Sequence, residues 1–575
     1  MKLIKSLTFI SLVSLTSSLV AGEQQQLKVF KEIDNNGKII YSTENVLIDT
    51  KSLDKSVTIP KSYEIPKEMM RTTWVATVDN LHYPKVVNGK IRNSVEELKE
   101  DWIEILNNHE QMNFNTVIFQ VSPTLDAVYE SEYRPWSHVL TGVQGQKPEW
   151  ANNFDLVNWM IEETHKRGME FHAWFNPYRV SHKYIPDTTY DKEIEKLSSN
   201  NFARQNQDLT YMFDQKLYLD PGNPKTIEHI TGTVNEFINK YDVDAIHFDD
   251  YFYPYKVTRN EVTSYFGDNL EDEKTFKENS RGFNDIKKWR QSNNDLMVIA
   301  VKDTIDNYNK QNNKSIQWGI SPFGIWEHKE ENSLGTNTPI ASTAANRDIY
   351  ADTRKWVVEE NIDYIIPQVY WEFTQPAAPY GEITSWWNNV AENSRTHLYI
   401  GHANYKHMNA GWAKHWQNPE EIANQLKFNN NYKNIKGSAF FGYTSLLEME
   451  NPENKPGITA QNAHIKLLKS NYFNKKVLVP AKPWLDKQST LPIENIKMQN
   501  SKDSVTLTFT DKISNDSRFY VIYSGDEILK VVGRDKKSDR QEINIPLKEL
   551  AGKKITGLSI KDRAGVETPI TKINQ

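Results

Sequence analysis

The 575-residue chain contains no cysteine, which excludes disulfide staples, zinc-finger sites, thiol nucleophiles and attachment through a lipidated N-terminal cysteine. It lacks an excess of basic charge as well: the formal net charge is −6, which argues against nucleic acid as a partner. Long apolar runs are scarce. The one near the start, Leu7 to Val20, follows Lys2 and Lys5, is broken by Ser and Thr, and ends in Ala21 and Gly22 before Glu23. That layout predicts a secretory signal peptide over residues 1–22, too short and too polar to span a bilayer. An exported protein with no transmembrane segment follows, secreted across the inner membrane to the periplasm or beyond. No glycine-rich phosphate loop accompanies a first strand, and no internal repeat or low-complexity tract is present. Without staples, stability must come from burial, for which 16 Trp, 27 Tyr and 23 Phe supply apolar surface.

From Met70 to about Asn471, short β-branched or aromatic runs alternate with amphipathic stretches. Strands are expected at Thr72 to Val78, Thr116 to Val121, Glu170 to Asn176, Ala245 to Tyr251, Gln317 to Phe323, Tyr364 to Trp371, Leu398 to Tyr405 and Ser438 to Thr444. Between them, Ser94-Val-Glu-Glu97 is a capping box ahead of Leu98, Trp102, Ile105 and Leu106 on one helical face. Gly168 stands where the helix from Phe154 to Arg167 needs a left-handed cap, and Pro224 suits the first turn of another helix. Strand then helix, eight times over, predicts an α/β fold, a (β/α)8 TIM barrel over residues 67–478. Residues 23–66 read as an N-terminal extension with a hairpin around Asn35-Asn-Gly37. Past Pro480 the period changes to two, and residues 484–575 predict a small β-sandwich with strands at Val505 to Phe509, Phe519 to Tyr523, Ile528 to Val532, Glu542 to Ile545 and Leu558 to Ile560.

Asp244-Ala-Ile-His-Phe-Asp-Asp-Tyr251 is a short apolar strand that ends in a histidine and two adjacent carboxylates. Alternation puts His247 and Asp249 on one side, with Asp250 at the exit. Other strands carry polar groups at the same end: His172, Trp174 and Asn176 with Arg179 beyond, Gln368, Tyr370 and Glu372, and His402. Polar side chains are scarce inside a barrel, so several converging at one end mark a cleft. Two carboxylates on opposed strands suit glycoside hydrolysis, one protonated to donate to the leaving oxygen and one ionised. Asp249 and Glu372 are the expected pair, with Asp250 and Glu327 as competitors. Arg179, His172 and His247 are expected to keep Asp249 ionised, and the walls of Trp371 and Phe373 to raise Glu372. Tyr251, Trp326, Tyr370, Trp371 and Tyr405 add flat rings suited to sugar faces. Nothing in the pattern calls for a cofactor or a metal.

These residues also carry a resemblance. Met70-Arg-Thr-Thr-Trp-Val-Ala-Thr77, Phe114-Asn-Thr-Val-Ile-Phe-Gln-Val121, Phe171-His-Ala-Trp-Phe-Asn-Pro-Tyr-Arg179, His247-Phe-Asp-Asp-Tyr-Phe-Tyr-Pro254, Gly319-Ile-Ser-Pro-Phe-Gly-Ile-Trp326 and Pro367-Gln-Val-Tyr-Trp371 resemble the bacterial family-10-like glycosyl hydrolases. The resemblance implies a TIM-barrel glycosidase of the cell envelope, similar to a bacterial member acting on peptidoglycan strands stripped of their peptides. The tail Ser559-Ile-Lys-Asp-Arg-Ala-Gly-Val-Glu-Thr-Pro569 resembles the end of a fibronectin type III module. A chitinase-like barrel places a Glu where Tyr251 stands, so substrate-assisted hydrolysis with that particular acid is not expected. Two rival readings remain: a metal-dependent polysaccharide deacetylase, suggested by Phe248-Asp-Asp250 with His402 and His407, and a non-catalytic glycan-binding envelope protein.

Overall fold

The computed structural model describes residues 45–50, 55–269, 271–408, 414–485, 493–511 and 516–573. The segment expected to be a signal peptide and the hairpin expected around Asn35-Asn-Gly37 lie outside the described residues. Eight parallel strands close into a barrel: β1 Met70–Val75, β2 Thr116–Ser122, β3 Glu170–Phe175, β4 Ala245–Phe248, β5 Gln317–Ile320, β6 Tyr364–Ile365, β7 His397–His402 and β8 Ile435–Phe440. Each pairs with the next, and β8 closes on β1 with Gly437 opposite Met70. Helices α1 Val95–Gln111, α2 Leu156–Lys166, α3 Pro224–Lys240, α4 Ile286–Asn312, α5 Thr353–Val358, α6 Tyr380–Val390, α7 Glu421–Asn429 and α8 Pro456–Leu467 each follow a strand, giving the (β/α)8 order.

Local chemistry explains the helix ends. Ser94 and Glu97 form both arms of the capping box that opens α1, burying Leu98, Trp102, Ile105 and Leu106. Pro224 occupies the first turn of α3 behind the Asn223 cap, where its missing N–H costs nothing. The strands start near their expected positions but stop sooner, at Phe248 in β4, Ile320 in β5 and Ile365 in β6.

The barrel is filled rather than hollow. Met70, Trp74, Ile118, Trp174, Ala245, Tyr364, Tyr399 and Ala439 form one cluster drawn from seven strands, which can meet only inside. The remaining strand, β5, contributes Gly319, where a Cβ would lie 2.0 Å from the Tyr364 ring, so only glycine lets that ring cross the interior. The Tyr364 hydroxyl bonds Nδ1 of His172 at 2.9 Å and Nδ1 of His247 at 3.0 Å. His172 Nε2 meets Glu170 at 3.0 Å, and His247 Nε2 meets Trp74 Nε1 at 3.2 Å and Ser321 Oγ at 2.9 Å. The buried imidazoles are thereby satisfied by partners of their own.

Beyond the barrel, β9 Glu494–Asn500, β10 Ser504–Thr510 and β13 Arg540–Pro546 form one antiparallel sheet, and β11 Ser517–Ser524, β12 Glu527–Gly533, β14 Gly557–Asp562 and β15 Thr571–Lys572 a second. Leu507, Phe509, Ile543 and Ile545 of the first share a core with Tyr520, Ile522, Leu558 and Ile560 of the second. This module packs on the barrel end where the strands begin. Arg518 pairs with Asp242 at 2.8 Å and Asp244 at 2.6 Å, and Arg563 reaches Asp242 at 2.7 Å. Gly168, at φ +71°, caps α2 in the left-handed region, and a Cβ there would strike the Val531 backbone at 2.6 Å. Among the described residues, no helix is long and apolar enough to cross a membrane.

Candidate active site

The opposite end of the barrel, where the strands finish, opens into a cavity of about 420 Å³. Trp74 and Ala76, Gln120, Trp174, and Asp249, Asp250 and Tyr251 line it from β1 to β4 and their exits. Ser321, Gln368, Tyr370, Tyr405 and Phe441 line it from the exits of β5 to β8, and Val78, Asp79, Leu81, Arg179 and His182 complete the wall. The size and mixed lining match a ligand site.

Asp249 is the best-anchored acid in this cavity. Its Oδ2 accepts from Trp174 Nε1 at 3.0 Å and from the Asn176 amide, and its Oδ1 accepts from the Tyr251 backbone N–H at 3.3 Å. Asn176 cannot turn, because its Oδ1 accepts from Gln120 Nε2 at 3.1 Å and from the Arg179 guanidinium. Gln120 is fixed by the backbone N–H groups of Thr77 and Val78, each 2.9 Å from its Oε1. Arg179 donates to the Pro123 carbonyl at 2.8 Å and lies 4.4 Å over the Tyr251 ring. The carboxyl is thus positioned by a relay that begins at β1 and passes through β2 and β3.

Burial lifts the Asp249 carboxyl and the adjacent Asp250 charge lifts it further, to about 7, against the pull of Arg179. Asp250, whose Oδ2 accepts from the Tyr255 hydroxyl at 2.6 Å, is also raised, chiefly by burial. Two neighbouring carboxyls out of water share protons as a unit, so one stays protonated near neutrality. Asp249 was expected to be held ionised, and the balance runs the other way. His172 and His247 lie deeper in the barrel, spent on Tyr364, and burial keeps His247 neutral.

Glu372, expected opposite Asp249, does not line the cavity. It is 4% exposed, its Oε2 accepts from Trp416 Nε1 at 2.9 Å, and the Lys406 ammonium is close enough to feel its charge. The reason is local: parallel bridges from Gln368 to Phe323 and Gly401 continue the strand pairing past Pro367, but the chain turns at Glu372, whose carbonyl accepts from the Gln375 N–H at 3.3 Å, so alternation stops short of it. Gln368 and Tyr370 still reach the cavity. Glu327 accepts from Asn332 and Asn346 within its own loop. Trp326 stacks on Trp386 and donates to Asp352, Trp371 packs on Phe323, and His402 bonds Gln425 and Ser438. None of these four lines the cavity. Lining residues absent from the sequence expectation include Trp74, Asp79, Gln120, His182, Ser321 and Phe441. Gln120 was within reach, since a glutamine in the β-branched run of β2 is the same kind of polar intruder as Asn176. Among the described residues, no three His, Asp or Glu side chains gather as a metal-ligand set, and His407 Nδ1 is spent on the Trp416 carbonyl at 2.7 Å.

The chain is similar to known proteins along most of its length. It is 37% identical over 458 residues to glycosyl hydrolase YngK of Bacillus subtilis, covering 79% of this chain and 82% of that protein. It is 34% identical over 393 residues to glycosyl hydrolase DigH of Escherichia coli, covering 66% of this chain and 84% of that one. The glycoside hydrolase domain of PgaB (BpsB) from Bordetella bronchiseptica aligns with 70% of this chain and 98% of its own at 10% identity and a TM-score of 0.39. Residues 69–418 match the family described as glycosyl hydrolase-like 10, and to that family the chain belongs.

Proposed function

We propose that this glycoside hydrolase is exported and cleaves bacterial cell-wall polysaccharide, specifically peptide-free peptidoglycan glycan strands, with Asp249 as proton donor and Asp250 as its ionised partner. The observation that carries the reading is an anchored acid raised to about 7 beside a second carboxyl in an aromatic cavity. A general acid works best when its pKa lies near the working pH. Trp74, Trp174, Tyr251, Tyr370, Tyr405 and Phe441 offer ring faces for pyranose units, and Gln120, Gln368 and Ser321 offer polar groups for hydroxyls. The sequence resemblance to peptidoglycan-acting glycosidases supports the substrate, and the layout of residues 1–22 supports export. We assign the C-terminal module to the fibronectin type III type, with packing against the barrel as its first role.

Incubation with peptide-free strands followed by mass analysis tests the reading. Shorter strands that have each gained one water are expected. Released acetate would point to the deacetylase, anhydro ends to lytic cleavage, and tight binding without cleavage to a glycan-binding protein, and each result overturns the proposal.

A further inference from the structure

Among the described residues, three carboxyls line the cavity: Asp79, Asp249 and Asp250. A two-carboxylate glycosidase needs its acids on opposite faces of the sugar, about 5 to 5.5 Å apart to retain configuration or about 6.5 to 9.5 Å to invert it. Asp249 and Asp250 are consecutive at the exit of one strand, so they belong to one wall. Asp79, beyond the exit of β1, is engaged by His182 Nε2 and Lys183 Nζ at 3.2 Å each, and a carboxylate held by two basic groups is a poor nucleophile. The wall that lacks a free acid is instead aromatic. Phe441 stands 6.1 Å from both the Trp74 and Tyr370 rings, and Tyr405 stands edge-on to Tyr370 at 6.2 Å. This box suits an apolar methyl group rather than a carboxylate.

We infer that the nucleophile comes from the substrate: the site takes glycans whose scissile sugar carries a 2-acetamido group, and that group's carbonyl oxygen attacks C1. The inference rests on the proposed function and deepens it. The acetyl methyl lies in the aromatic box. In the first step the carbonyl oxygen forms a bond to C1 while the C1–O glycosidic bond breaks. The Asp249 proton passes to the leaving oxygen, and the Asp250 carboxylate takes the amide N–H proton as the oxazoline ring closes. In the second step water attacks C1, the ring C1–O bond breaks, the water proton returns to Asp249, and the amide recovers its proton from Asp250. One water is consumed and the configuration at C1 is retained. The sequence departure at Tyr251 is accommodated, because Asp249 takes the proton-donor role that a chitinase-like barrel gives to a Glu at that place.

The test uses the full-length protein with three preparations of one peptide-free strand: native, de-N-acetylated, and de-N-acetylated then re-acylated with trifluoroacetyl groups. The trifluoroacetyl strand keeps the bulk of the acetamide and loses its nucleophilicity. Turnover is expected to fall on the order of 100-fold from the native to the trifluoroacetyl strand with KM nearly unchanged, the scale of losing one positioned catalytic group. The de-N-acetylated strand should be inert, and the new reducing end of the native product should retain its configuration. Equal rates on all three preparations, or an inverted product, leave the proposed function standing and overturn substrate participation. Cleavage of none of them overturns both.

Discussion

At the residue scale the account turns on one carboxyl. Replacing Asp249 with Asn removes the proton donor and leaves the hydrogen bonds to Trp174 and Tyr251 largely available, so turnover of glycan strands should drop by about 100-fold or more. An aryl glycoside with an acidic phenol as leaving group needs no proton in the first step, so the variant should release phenol on it in a burst while the water step stays slow. The pH profile follows from the raised pKa of Asp249. Activity should fall as the pH rises through about 7 and fall again on the acid side, where Asp250, itself raised by burial, takes up a proton; Asp250→Asn, by deleting the neighbouring charge, should move the alkaline limb of the residual activity to lower pH. The same shift bears on stability. A carboxyl whose folded pKa lies above its unfolded one favours the fold at low pH and loses that contribution as the pH rises through the folded value. Asp249→Asn should therefore raise Tm more at pH 8 than at pH 5, as thermal melts at the two pH values would show. Asp249 was legible because alternation held as far as the end of β4. Its protonation was not, because that depends on how completely the surrounding rings exclude water and on the charge of Asp250.

Elements account for what sequence alternation could and could not place. In β3 the period of two runs unbroken to Phe175, and Trp174 and Asn176 do reach Asp249. In β6 the strand is only two residues long, yet bridges on both sides of Gln368 carry the period to Tyr370, and it fails only where the chain turns at Glu372. His402 shows the converse: it is the last residue of β7, yet it faces α7 through Gln425. The contact between β11 and the start of β4 was invisible in sequence, because 274 residues separate Arg518 from Asp244. It brings together Arg518, Asp242, Asp244 and His165, all largely out of water. Removing one member strands charges that burial makes costly, so Arg518→Ala should lower unfolding free energy by about 3–5 kcal/mol in urea titrations. The arginines Arg518 and Arg563 hold Asp242 well below the usual carboxylate range, and Arg518 and His165 do the same for Asp244. Their contribution is present above the unfolded carboxylate pKa near 4 and is lost as the pH falls below it.

The whole molecule is a barrel with its chemistry at one end and a β-module locked to the other. The module's contacts are buried and charged: the Lys561 ammonium bonds the Val479 carbonyl in addition to the Arg518 pairs. The barrel and the module should therefore unfold together, giving one calorimetric transition, and two well-separated transitions would contradict a packing role. Deleting residues 493–575 should expose Asp242 and Asp244 without their partners and destabilise the barrel, rather than release an independent enzyme. The barrel was readable in the alternation of strand and helix, and the antiparallel strands that follow in the change to period two past Pro480; how the two dock depends on long-range pairs that no local pattern encodes.

The most direct measurement is cleavage of peptide-free peptidoglycan strands in ¹⁸O-water by the full-length protein and by its Asp249→Asn and Glu372→Gln variants. The account predicts new reducing ends carrying ¹⁸O from the parent protein, almost none from Asp249→Asn, and near-parental amounts from Glu372→Gln. Undiminished labelling with Asp249→Asn, together with its loss in Glu372→Gln, would contradict it.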